Sequence, residues 1–200
     1  MSSKNDKFYL KLALNLAKQH EGLTNENPSV GCVIVKDNKI LSLSKTSISG
    51  RPHAEDNAIR FANTNDLKGS TIYVTLEPCT HHGKTPPCTD LIIKKKISKI
   101  VYASNDIDER TANKLKKVLK NHNISTKQIR MKEITDFYKS YFFIRKNKFP
   151  YITAKLACSN DYYIYSKKNK NITNELSRKT SHLLRYKNNA ILISSKTLNK

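Results

Sequence analysis

Strand-forming and helix-forming segments alternate along the first three-quarters of the chain, and that alternation narrows the fold more than any other feature. VGCVIV (30–35) and KILSLS (39–44) flank KDNK, which predicts a strand pair around a tight turn. STIYVTL (70–76) is strongly β-prone, and KIVYAS (99–104) predicts a further buried strand. Helical patterns come between and around them. Residues 1–19 carry Phe8, Leu12 and Leu16 on one stripe, with Tyr9, Ala13 and Ala17 beside it. HAEDNAIRFAN (53–63), TDLIIKKK (89–96) and TANKLKKVLKNH (111–122) follow, the last with Leu115, Val118 and Leu119 on one face. Turn-rich loops separate them, notably HEGLTNENPS (20–29) and EPCTHHGKTPPC (77–88). This order argues for a layered α/β domain over residues 1–146. A second unit starts afresh over 147–200: FPYITAKLA and NAILIS read as strands, with too little chain to close an independent core. A truncated domain or a fragment is expected there.

Composition matters at two points. The formal net charge is +21, which would suit nucleic acid. The lysines, however, are scattered among abundant Asn and Ile and form no basic stripe; the run IIKKKISKI (92–100) reads as the solvated end of a helix feeding a strand. No nucleic-acid partner is therefore expected, although a small phosphorylated ligand would benefit from the same field. No apolar run approaches the ~20 residues of a membrane span, and the N-terminus lacks the features of a signal peptide. A soluble cytoplasmic protein without a membrane partner is expected. In a reducing compartment, the four cysteines favour metal binding or catalysis over disulfides. Only Cys79 and Cys88 lie close in sequence; Cys32 and Cys158 read as small buried side chains.

Those two cysteines meet a third candidate in HAEDNAI (53–59). His53, Cys79 and Cys88 each stand where a loop delivers the chain to a helix start, so they could converge on one zinc. Thiolates at such positions are stabilised by the aligned backbone amides. Three protein ligands leave a fourth position open for water, and Glu55, on the same first turn as His53, is placed to move its proton to a leaving amine. HAE and PC match the halves of a zinc nucleobase deaminase signature, H-x-E…P-C-x-x-C. The cysteine spacing departs from it, because eight residues separate Cys79 from Cys88. A structural zinc with His81 or His82 as fourth ligand remains the alternative.

GLTNENPSVGCVIV (22–35), GRPHAE (50–55) and above all YVTLEPCTHHGKTPPCTDLI (73–92) resemble the family of bifunctional riboflavin-biosynthesis deaminase–reductases, over nearly the whole chain. The resemblance implies a cytidine deaminase-like three-layer α/β/α domain. It also implies hydrolytic removal of the 2-amino group of 2,5-diamino-6-(5-phosphoribosylamino)pyrimidin-4(3H)-one. Carried over by position, His53, Cys79 and Cys88 are zinc ligands and Glu55 the proton shuttle. Asn27 and the Ala54 backbone contact the ring, His81 and Lys84 set substrate specificity, and Asp106 is a further substrate contact. The family's D-P-N-P is DIDE here (106–109), which puts Asp108 where an Asn is expected, and Glu26 stands in place of a proline.

From YITAKLACSND (151–161) through NITNELSRKTSHLLR (171–185) to NAILISSKT (189–197), the chain resembles the opening of the family's dihydrofolate reductase-like domain, which uses NADPH. The likeness puts Ala157 and Thr197 near NADPH, with Asn171 at the cofactor-side position usually held by tryptophan, and Arg185 near substrate. Tyr162 replaces a usual glycine, and no G-x-G-x-x-G offers a substitute cofactor loop. Reductase activity is expected of the full-length family and expected to be absent or very weak here. The family forms homo-oligomers, largely through the reductase part. A nucleic-acid-editing deaminase and a non-catalytic zinc-stabilised protein are the competing readings.

Overall fold

The computed structural model describes residues 3–62, 67–164 and 172–198. They fall into two compact units, Met1–Pro150 and Tyr151–Lys200. In the first, the β-prone runs become β1 (Gly31–Lys36), β2 (Lys39–Lys45), β3 (Thr71–Leu76) and β4 (Lys99–Ser104), joined by β5 (Ser125–Gln128). The sheet order is β2-β1-β3-β4-β5. β1 runs antiparallel to both β2 and β3, while β3, β4 and β5 are mutually parallel. Every residue of β3 is buried, as a central strand covered on both faces requires.

Helix α1 (Ser3–Lys18) covers one face, where Tyr9 packs on Tyr73 with ring centroids 4.8 Å apart. It can lie this close because Gly31 has no side chain: a Cβ there would stand 1.8 Å from the Ala13 carbonyl oxygen. The buried stripe of α1 differs from the expected one. Leu10, Ala13, Leu14 and Ala17 face the core, whereas Phe8 is 61% exposed. Asp6 is fully buried on this face; it accepts hydrogen bonds from the Tyr73 hydroxyl at 2.9 Å and from Lys127 Nζ at 2.7 Å. A carboxylate tolerates such burial only when its oxygens are satisfied in this way.

The other face carries α2 (Ala54–Phe61) and α3 (Cys88–Lys94), giving the three α/β/α layers that the sequence resemblance implies. Asn57 ties α2 to the end of β2, donating to the Lys45 carbonyl at 3.0 Å and the Ser47 hydroxyl at 2.9 Å. The helix expected over 111–122 is much shorter. α4 spans Leu115–Leu119 and runs into one 3₁₀ turn, because Asn113 adopts a positive φ and the Glu77 carboxylate accepts the Asn113 and Leu115 amides. β5 and the helices α5 (Lys132–Phe137) and α6 (Lys139–Asn147) were not foreseen. STKQ has little strand character by itself and joins the sheet only by pairing with β4.

In the second unit, α7 (Glu175–Tyr186) starts at Asn174, whose side chain accepts from the Ser177 amide at 2.8 Å; α8 spans Ser195–Leu198. The strands expected at FPYITAKLA and NAILIS are not formed. Neither run has a hydrogen-bonded neighbour strand among the described residues, and a strand without a ladder is merely extended chain. Ile152, Leu156 and Leu192 are exposed accordingly.

Candidate metal centre

Three separate backbone positions converge at the end of the sheet where β3 gives way to a loop. His53 is the N-cap residue of α2, in extended conformation, and its ring makes no capping bond, so it is free to point elsewhere. Its Nδ1 lies 3.6 Å from Cys79 Sγ and 3.4 Å from Cys88 Sγ. Cys79 sits three residues beyond β3; Cys88 opens α3, and its backbone amide donates to Cys79 Sγ at 3.2 Å. The Thr89 amide and hydroxyl both donate to the Cys79 carbonyl, closing the 79–88 loop at its base. The nitrogen and both sulfurs lie within 4.8 Å of one another.

One imidazole and two thiols at that spacing form a donor set suited to a borderline-soft ion such as zinc, with a coordination position left over. The electrostatics are already arranged for charge. The Cys88 thiol beside Cys79, helped by His53, brings the Cys79 thiol down to about 4 against the cost of its burial. The same contact with Cys79, together with burial, drives Cys88 well up. Glu55 is 4% exposed, and burial pushes its pKa up to about 7, with His53 opposing and Cys79 adding to the rise. That value suits a group that both takes and returns a proton near neutrality.

Above the cluster opens a cleft lined by Asn27, His81 and Asp106 together with His53, Glu55 and Cys79. Asn27 is held by donating to the Gly50 carbonyl at 3.2 Å, and Gly50, at φ +87°, is the residue type that permits this approach. His81 Nδ1 lies 2.9 Å from the Thr111 hydroxyl, which leaves Nε2 unengaged there. Asp106 accepts from the Asp108 amide and the Tyr141 hydroxyl. Ala54 is buried in the first turn of α2, while Lys84 is exposed on the 79–88 loop and is not among the cleft residues.

Three of the four positions expected in the second unit lie among the described residues. Ala157 is half-buried in extended chain, and Arg185 is exposed on α7 beside His182. Thr197 falls in α8, and Asn171 lies outside the described residues. Among the cleft residues that went unread in the sequence are Arg51, Glu77, Arg110, Tyr141 and Arg145. Glu77 had a local signal, being the acid of the E-P-C that delivers the first cysteine. Arg145 and Tyr141 come from α6, and no short-range pattern announces them.

A family model described as the cytidine and deoxycytidylate deaminase zinc-binding region matches residues 3–104. A riboflavin biosynthesis protein RibD of Aquifex aeolicus is 40% identical over 198 residues, 98% of this chain and 55% of that protein. A diaminohydroxyphosphoribosylamino-pyrimidine deaminase of Buchnera aphidicola subsp. Acyrthosiphon pisum is 42% identical over 147 residues, 73% of this chain and 99% of that protein. Among solved structures, Acinetobacter baumannii RibD superimposes with a TM-score of 0.81 at 34% identity, covering 92% of this chain and 52% of the other. The chain thus spans about half the length of the RibD relatives it matches. No helix among the described residues is long and apolar enough to cross a membrane.

Proposed function

Because the chain belongs to the diaminohydroxyphosphoribosylamino-pyrimidine deaminases, within the cytidine and deoxycytidylate deaminase zinc-binding family, we propose that it is a zinc-dependent aminohydrolase of riboflavin biosynthesis. Its substrate is 2,5-diamino-6-(5-phosphoribosylamino)pyrimidin-4(3H)-one. Water adds its oxygen at C2, the C2–N bond breaks, and ammonia leaves. The observation that carries this reading is a buried carboxylate, Glu55, beside a His–Cys–Cys cluster at the floor of an open cleft.

His53, Cys79 and Cys88 would hold the zinc ion. When bound, zinc at three protein ligands lowers the pKa of a coordinated water to about 7. Glu55 takes the proton from the attacking water and returns it to the departing nitrogen, so one residue serves as base and then acid. Its burial excludes bulk water from that transfer. Asn27 and Asp106 border the same space and orient the ring by hydrogen bonds. Four free cysteines, two of them in the cluster, suit a reducing compartment, and we assign the protein to the cytoplasm. For the second unit, Ala157, Asn171, Thr197 and Arg185 are the positions to test for NADPH and substrate contact, by titrating the chain with NADPH.

The test is ammonia release by the zinc-loaded chain from the phosphoribosylamino-pyrimidine, with cytidine and a tRNA as parallel substrates. The pyrimidine alone should react. Glu55→Gln should lower kcat by about 10²–10⁴-fold while zinc content is kept. Ammonia from tRNA, or an unimpaired Glu55→Gln enzyme, would sink the proposal.

A further inference from the structure

The lining of the cleft includes arginines that the proposed chemistry does not use, beside the carboxylates of Glu55, Glu77, Asp106 and Asp108. Arg51, Arg110 and Arg145 all line it, and their partners differ. Arg110 is committed: its Nε and Nη2 clamp Asp108 at 2.9 and 2.5 Å. Arg51 and Arg145 have no carboxylate partner among the ion pairs of the described residues. Neutral oxygens hold them instead. Arg51 Nη1 donates to the Thr85 hydroxyl at 2.5 Å. Arg145 Nη2 donates to the Glu26 carbonyl at 3.1 Å, and its guanidinium carbon lies 5.6 Å from the centre of the Tyr141 ring.

Such contacts fix the direction of a guanidinium without neutralising it. Each fork keeps most of its five N–H donors unspent. The two arginines also frame one stretch of backbone. Arg145 holds Glu26, the next residue Asn27 donates to the Gly50 carbonyl, and Arg51 follows Gly50. Arg51 Nη2 and His81 Nε2 each lie 3.7 Å from the point where a side chain on Gly83 would begin. Both therefore border the space beside Gly83. Oriented, unpaired forks beside an imidazole nitrogen make a site for a tetrahedral dianion, since Arg meets phosphate oxygens bidentately.

We propose that Arg51 and Arg145, with His81 Nε2, bind the phosphomonoester at the end of the substrate's ribosylamino arm. This rests on the deaminase reading above and deepens it, assigning the substrate's anionic end to named residues. It also gives the 79–88 loop a second use: the segment that carries both cysteines carries, in Thr85 and Gly83, the residues that shape the phosphate's space.

The experiment compares the zinc-loaded chain with Arg51→Gln and Arg145→Gln on the phosphorylated substrate and on its dephosphorylated form. Each variant should raise KM for the phosphorylated substrate by about 10–100-fold. Its kcat should stay within about twofold, and its kinetics on the dephosphorylated form should match the unsubstituted chain. Arg51→Lys should recover part of the loss. Equal losses on both substrates, or an unchanged KM, would overturn the assignment. If the unsubstituted chain releases no ammonia from either substrate, the deaminase reading fails separately, and calorimetric titration with ribose 5-phosphate judges the site. Binding that disappears in both variants upholds it; binding that persists, or is absent from the start, refutes it.

Discussion

Glu77 touches no reacting atom in the proposed chemistry, yet it holds the loop that brings Asp106, Asp108 and Arg110 to the cleft. It is 3% exposed, and its carboxylate accepts the backbone amides of Asp106 and Asn113 on one oxygen and of Leu115 on the other. Burial raises its pKa while those three amides pull it down. Glu77→Gln would turn an amide NH₂ toward N–H donors, leaving buried donors unmatched at a cost of about 1–3 kcal/mol. Urea unfolding should register that loss, and KM should rise because Asp106 is displaced. Asp6 offers a pH test. Burial raises its pKa, but hydrogen bonds from Lys127 and Tyr73 outweigh that and leave it below the usual carboxylate value. A depressed folded pKa contributes stability that is fully present above the unfolded value of about 4 and is lost as pH falls through the folded value. Between about pH 5 and pH 2, the unfolding free energy of Asp6→Asn should therefore fall less steeply than that of the unsubstituted chain. Parallel curves would assign the acid sensitivity to other carboxylates.

Among the elements, the close seating of α1 on β1 is the contact most sensitive to a single atom. Gly31→Ala puts a methyl into the Ala13 carbonyl, with backbone on both sides and no flexible side chain to yield. It should cost about 2–3 kcal/mol, seen as a lower urea midpoint at constant slope. The elements that carry their own periodicity or β-branched content were legible in the sequence: α1, α2, α3 and β1 to β4 stand within a few residues of the expected spans. β5 was not, because STKQ gains strand geometry only from its neighbour. The stripe of α1 was misplaced because Asp6 belongs to the buried face, and a hydrophobic pattern cannot show a satisfied buried acid. At the centre, His53, Glu55 and Cys88 were legible from residue chemistry at helix starts, whereas Cys79, expected at one too, stands in the loop after β3 and reaches the cluster through the 79–88 connection. Arg145 and Tyr141 were not, since α6 reaches the cleft only through tertiary packing.

Taken whole, the first unit brings three of its elements together at the His53, Cys79 and Cys88 donors. One donor comes from the start of α2 and two from the β3–α3 connection, so an ion held by all three would tie together two helices and a central strand. Chelation should lower the melting temperature by about 10 °C, and Cys88→Ser should melt near the chelated protein. A melting point indifferent to both would remove the ion from the account of folding. The 79–88 connection adds something different. Its two ends are fastened to each other by Cys88 and Thr89, so the chain between them forms a ring hung on a fixed clasp. A ring of that kind behaves as a cartridge: its contents can be lengthened, shortened or rewritten without shifting the clasp. The chamber thus separates the reaction performed at its floor from the molecule admitted at its door, and the second can be re-chosen without renegotiating the first.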